Sequence, residues 1–211
     1  RQACELGFVV LGMSIVLIVG GIDLSVSSIY ALCNMLALYC VNVLGMGMVP
    51  TVAITLAAGA ALGAVNGVLI GYLRMRAFLT TMVTLIVYKA AHDMINAKVA
   101  VQISANFPDA PAWDFLGFGT FLSVPVIAWI FGIVAIAGHI FLTRLRAGWH
   151  VMAIGGNRRS AYNTGLPVKR VVALSYVASG VFAATAAIFY ASRLASPGAD
   201  TGKGLEIVVL T

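Results

Sequence analysis

Long apolar runs separated by short polar breaks dominate the chain. Read against glycine, proline and charge, they predict membrane-crossing helices near 6–20, 26–45, 49–72, 78–95, 122–142 and 171–192, with another beginning near 205. Runs of this kind approach or exceed the ~20 residues a helix needs to cross a bilayer, whereas a barrel strand needs only ~10. The alternation of a barrel strand is also missing. The pattern therefore predicts an all-α fold, a polytopic transmembrane helical bundle. The first run is short: residues 6–20 cover ~22 Å of a ~30 Å apolar layer at ~1.5 Å per residue. The break that follows, GGIDLSVSS at 20–28, is thus expected within the membrane or near its inner edge, which makes this a bundle with interrupted helices.

Composition strengthens the membrane reading. The chain is 61% hydrophobic and 9% charged, with a mean hydropathy of +1.01, against roughly 45–50% and 25% for an ordinary soluble domain. A net charge of +6 does not imply nucleic acid, because the basic residues are concentrated in connections. Arg74 and Arg76 lie in one turn, and Arg144, Arg146, Arg158, Arg159, Lys169 and Arg170 lie in the segment 144–170. Positively charged connections stay in the cytoplasm, and two spans separate these two, so the parity agrees. The loop 96–121, with Lys98, Asp109 and Asp114, is then external; Pro108, Pro111 and Trp113 predict an irregular segment with an aromatic at headgroup level. Both ends of the chain read as cut, so residues 1–211 are taken as one transmembrane domain truncated at each terminus.

Within this frame, few residues carry chemistry. Asp23 follows Gly20 and Gly21 in an apolar setting, where a carboxylate costs at least ~2.5–3.5 kcal/mol and must face protein or water. Either it caps the next helix, as Asp23 or Ser25 at the N-cap, or it lines a route through the bundle. Lys89, His92 and Asp93 form a second cluster. Lys89 can pair with Asp93 four residues on, or reach Asp23 from near the midplane. Gly59, Gly63, Gly67 and Gly71 form a ridge that admits a close helix neighbour, and Asn66 beside it can bond across helices. His139 stands alone, and Cys4, Cys33 and Cys40 have neither metal-ligand nor disulfide spacing, so the two helical cysteines read as small apolar fillers. GADTGKG at 198–204 is not a phosphate loop: it is one residue short between glycines, and Gly204 replaces the Ser or Thr that holds magnesium. No cofactor or metal is expected. In 144–170, Ser160 to Asn163 can form a short helix stopped by Gly165 and Pro167.

Four stretches, in order, resemble the permease subunits of bacterial ABC sugar importers, the ribose, xylose and galactose permease family. They are GGIDLSVSS, NGVLIGYLRMRAFLTTMVT, GWHVMAIGGNRRSAYNTGLPV and YASRLASPGADTGKGLEI, and the resemblance runs along essentially the whole chain. It implies a multi-pass protein of the bacterial inner membrane that pairs with a second permease copy, docks a separate ABC ATPase subunit and receives sugar from a periplasmic sugar-binding protein. No catalytic site is then expected in this chain. The segment 144–170 would be the coupling loop, with Gly155, Gly156, Asn157, Arg158, Ser160, Ala161 and Gly165 at the ATPase. Translocation or helix-break positions would be Gly21, Asp23, Ser25, Asn66, Lys89, Asp93 and Glu206. Ser27, Lys89-Ala90 and Trp149 depart from the common residues of the family and leave the resemblance intact. GIDLSV at 21–26 and GLEIVV at 204–209 form an internal echo of the sort found in transporters with repeated halves. The competing reading is an ion-coupled secondary transporter in which Asp23, Lys89 and Asp93 couple ions; an intramembrane enzyme is a third.

Overall fold

Four glycines in register decide how the centre of the bundle packs. In a computed structural model describing residues 1–106, 110–194 and 205, helix α3 (Met48–Gly67) turns Gly59, Gly63, Gly67 and Gly71 toward helix α9 (Val168–Ala191). A Cβ at Gly59 would lie 2.5 Å from the Gly180 carbonyl oxygen and 2.6 Å from the Ala184 methyl. One at Gly63, Gly67 or Gly71 would run into the carbonyl oxygen of Tyr176, Ala173 or Lys169. The ridge thus brings two backbones together, as helix association without a hydrophobic driving force requires.

Around this seam stand α1 (Gln2–Ile18), α2 (Val26–Leu38), α4 (Ala77–Ala105) and α6 (Val126–Arg144). The last turns of α2 and α3 widen into π-helical turns at Tyr39–Val43 and Val68–Tyr72. Helix α9 packs against α1, α2 and α3 at once and is buried along most of its length. Phe8, Val9 and Met13 of α1, Ile29 and Cys33 of α2, and Ala183 and Phe189 of α9 share one core cluster. Helix α6 is the opposite case: Ile127 is its one buried residue, with Ile130, Phe131 and Val134 half-buried against the same core and Ile133, Ile136 and Ile140 exposed.

Among the described residues, four helices are long and apolar enough to cross a membrane: α2 and α3 with their π turns, α6 and α9. Helix α1, at 17 residues, is the short one expected. Helix α4 runs 29 residues, ~43 Å at ~1.5 Å per residue, and carries Lys89, Asp93 and Lys98. It continues ten residues past the expected end at 95, so the first part of the loop 96–121 is helix rather than irregular chain.

That loop holds two further elements. Pro111 opens α5 (Pro111–Phe118), a position where the missing N–H costs nothing. Trp113 is buried among Met35, Leu38, Ile103 and Ile188. Strands β1 (Thr120–Phe121) and β2 (Val124–Pro125) then pair antiparallel across Leu122 and Ser123, both with positive φ, and α6 begins after them at Val126 rather than near 122. The remaining elements are α7 (Arg146–Gly156) and α8 (Arg158–Asn163). Glu206, the echo at 204–209 and the stretch 198–204 lie outside the described residues, apart from Leu205.

Candidate functional site

Helix α1 stops where its sequence can no longer continue it. Gly20 takes φ +82°, its N–H bonds to Leu17 and that of Gly21 to Val16, the paired pattern of a Schellman ending. Gly21 must be small as well, since a Cβ there would lie 2.5 Å from the Tyr176 hydroxyl. Residues 19–25 then continue in non-helical form, and α3, α4, α8 and α9 each supply a polar group to them.

The carboxylate of Asp23 is fully buried, at 0% exposure. Its Oδ1 accepts the Ser25 amide at 3.1 Å and the Ser25 hydroxyl at 2.6 Å, and its Oδ2 accepts the Ser179 hydroxyl of α9 at 2.8 Å. Asn66 Nδ2 of α3 donates to the Ser25 Oγ at 2.7 Å, so the expected cross-helix bond of Asn66 is made at the break itself. The Ile22 carbonyl accepts Thr81 Oγ1 of α4 at 3.2 Å and the Tyr176 hydroxyl of α9 at 3.4 Å. Ser25 precedes α2 with helical dihedrals and no side-chain cap bond, so neither it nor Asp23 caps α2 in the expected way. Instead Asp23 folds a turn onto Ser25 and ties it to α9.

Lys89 belongs elsewhere. Its Nζ lies 2.6 Å from Asp93 Oδ1, the intrahelical pair, and His92 Nδ1 lies 3.1 Å from the same oxygen. Asp93 is half exposed while His92 is buried. Substitutions at Asp23 and Lys89 are therefore expected to add within about 0.5 kcal/mol in a double-mutant cycle read by thermal unfolding; a coupling of ~1 kcal/mol or more would place the two in one network.

The segment 144–170 holds a second helix, α7, ahead of the short one expected. Three glycines sit inside α7, and two of them are contact points. A Cβ at Gly148 would strike the Phe141 carbonyl of α6, and one at Gly155 the Ile18 carbonyl at the end of α1. Gly156 faces open space. The Asn157 side chain accepts the Ser160 amide at 2.9 Å, capping α8. Ala161 is buried in a cluster with Val16, Val19, Val151 and Ile154, and Gly165 ends α8 at φ +82°. Arg158 Nη2 donates to the Val19 carbonyl at 3.1 Å, taking up an oxygen that the end of α1 leaves without a helical partner. Thus α7 and α8 are fastened directly to the chain entering the Asp23 break.

Three partners in this arrangement were not singled out from the sequence. Ser179 and Tyr176 sit in a stretch of small and apolar residues with nothing to distinguish them. Thr80, Thr81 and Thr84, however, lie together in the apolar first half of α4 and are all buried, a pattern that marks a polar contact face. At the other end of the bundle Arg193 Nη2 donates to Glu5 Oε2 at 2.9 Å, and Arg1 Nη2 to the Phe118 carbonyl at 2.7 Å.

A polytopic helical bundle with a polar break at its centre defines a multi-pass membrane protein. The family profile described as "Branched-chain amino acid transport system / permease component" matches residues 1–211, and the chain belongs to that family. By that description the members of the family are permease components of transport systems. The chain is similar to the Ribose import permease protein RbsC of Escherichia coli (strain K12), at 33% identity over 98% of this chain and 64% of the relative. It is also similar to the Fructose import permease protein FruG of Bifidobacterium longum (strain NCC 2705), at 31% over 92% of this chain and 58% of the relative. A third relative is the D-allose transport system permease protein AlsC of Escherichia coli (strain K12), at 30% over 93% and 59%. These agree with the resemblance carried by the four stretches. The chain thus spans about three fifths of the length of these relatives. No solved structure matches it.

Proposed function

We propose that this chain is the membrane-crossing subunit of an ATP-driven ABC importer, passing a monosaccharide or a related polyol through a bacterial inner membrane. The observation that carries the mechanism is the bond from Arg158 to the Val19 carbonyl, with Gly155 seated on Ile18 beside it. It links a helical segment on the basic end of the bundle to the interrupted helix inside. In this reading the basic end is cytoplasmic, and residues 144–170 form the coupling loop that meets a separate ATPase subunit. Gly156 and Ser160, which are exposed, face that subunit, while Gly155, Asn157, Ala161 and Gly165 shape the loop.

An importer alternates between outward-open and inward-open states, and ATP can bias them only through a contact that differs between the two. The Asp23 break is where such a bias can act, because Asp23, Ser25 and Asn66 tie it to α3 and α9 while Arg158 ties it to α8. A periplasmic binding protein delivers the sugar, and a second permease copy covers part of the outward-facing apolar surface. The names of the ribose, fructose and allose relatives support the sugar class. Reconstituted with its ATPase and binding protein, the full-length permease is expected to take up sugar only when ATP is supplied, with uptake unchanged when ion gradients are collapsed. Uptake that follows the ion gradient and ignores ATP would establish the secondary-transporter reading instead.

A further inference from the structure

The basic end of the bundle contains a cavity beside the coupling loop, which supplies part of its lining. It measures about 550 Å³ and lies between the end of α3, the turn after it, α8 and the start of α9. Four cations line it, Arg74, Arg158, Arg159 and Lys169, while Ile70 and Val172 form apolar wall. No carboxylate lines it, and none occurs in 69–77 or 144–170. The cations come from three elements, Arg74 from the turn after α3, Arg158 and Arg159 from α8 and Lys169 from α9, and are brought together by the fold. Arg74 holds φ +58° at the turn, and Arg158 is anchored through one Nη to Val19, leaving its other N–H groups free to meet a ligand.

We infer that this cavity binds the phosphate headgroup of an anionic phospholipid, with the phosphate among Arg74, Arg158, Arg159 and Lys169 and the glycerol and upper acyl chain along Ile70 and Val172. Depth and shape favour a lipid. The cavity lies where the apolar span Met48–Tyr72 ends and the span Val168–Ala191 begins, and span ends meet a bilayer at the level of the headgroup phosphates. Basic pockets between membrane helices take such headgroups. A soluble anion would need the cations and not the apolar wall. A concave site of this volume fits a single headgroup-sized ligand better than the protruding surface of a protein partner. Four like charges around one space repel each other, and a phosphate offsets them.

The test uses full-length permease in phosphatidylcholine nanodiscs with phosphatidylglycerol titrated in, scored by native mass spectrometry of the retained lipid. At about fivefold per cation, the double substitution Arg74→Gln with Lys169→Gln is expected to lower the preference for phosphatidylglycerol about twentyfold. Removing as much charge outside the cavity, by Arg144→Gln with Arg146→Gln, should change it less than about twofold. Arg159→Gln alone should give about a fivefold loss and supplies the reading if the first pair does not fold. Equal losses for the two pairs would reduce the effect to general attraction by a basic surface and overturn the site. So would an unchanged preference in the cavity variants. Inorganic phosphate that displaces the lipid at millimolar concentration would reassign the cavity to a soluble anion. Displacement of the lipid by the ATPase subunit would reassign it to protein docking.

Discussion

Asp23→Ala is expected to destabilise the purified permease by about 3 kcal/mol, lowering its thermal midpoint by roughly 5–10 °C. The reason lies in the three donors the carboxylate serves: the Ser25 amide, the Ser25 hydroxyl and the Ser179 hydroxyl. All are enclosed in an apolar bundle, where a donor left without an acceptor costs about 1–3 kcal/mol; some re-pairing keeps the total below the simple sum. Asp23→Asn keeps one carbonyl oxygen for Ser25 and offers Ser179 an amide donor to accept, so about 1 kcal/mol of loss is expected. The comparison separates the two roles open to this residue. A midpoint unchanged in Asp23→Ala, together with abolished uptake, would make the carboxylate a group that meets the cargo. A lowered midpoint, with uptake that recovers in Asp23→Asn, makes it the fastening of the break.

The second large effect is on coupling. Gly155→Leu forces a side chain against the Ile18 carbonyl, and Arg158→Ala removes the donor to Val19. Either change should separate α7 and α8 from the end of α1 without touching the α3–α9 seam. In the assembled transporter, ATP hydrolysis is expected to continue while sugar uptake per ATP falls at least about tenfold, within the range of coupling free energies that link two sites. Parallel loss of hydrolysis and uptake would mean that the loop only docks the ATPase. Uptake at the normal ratio would show that the movement enters the membrane by another path.

Both predictions concern residues whose importance was visible in the sequence, though their contacts were not. Asp23 stood out because charge is expensive among apolar neighbours, and the ridge because glycines four apart share one helix face. Their partners did not stand out. Ser179 is one serine in a run of small residues, and only the packing of α9 against the break selects it. The Asp23–Lys89 and Lys89–Asp93 pairings were both open, the first by depth near the midplane and the second by spacing along one helix, and packing gave Lys89 to its own helix. Helix α7 was hidden for a related reason: Gly148, Gly155 and Gly156 weaken a helix locally, yet Gly148 and Gly155 are needed where carbonyls press close. The extension of α4 to Ala105 was masked by Lys98 and Gln102, which end an apolar run without ending a helix. The two π turns carry no residue pattern at all.

The link between Asp23 and Ser179 also sets a schedule for making the protein. The two residues are 156 positions apart, so at ~5–20 residues per second a ribosome delivers Ser179 roughly 8–30 s after Asp23. Through that interval the nascent α1, α2 and α3 are in or entering the bilayer without the helix that completes their polar contacts and covers the glycine ridge. The centre of the bundle is therefore among the last parts to be assembled. Until α9 arrives, the early helices rely on Ser25 and Asn66, both already synthesised, to shelter a carboxylate from lipid.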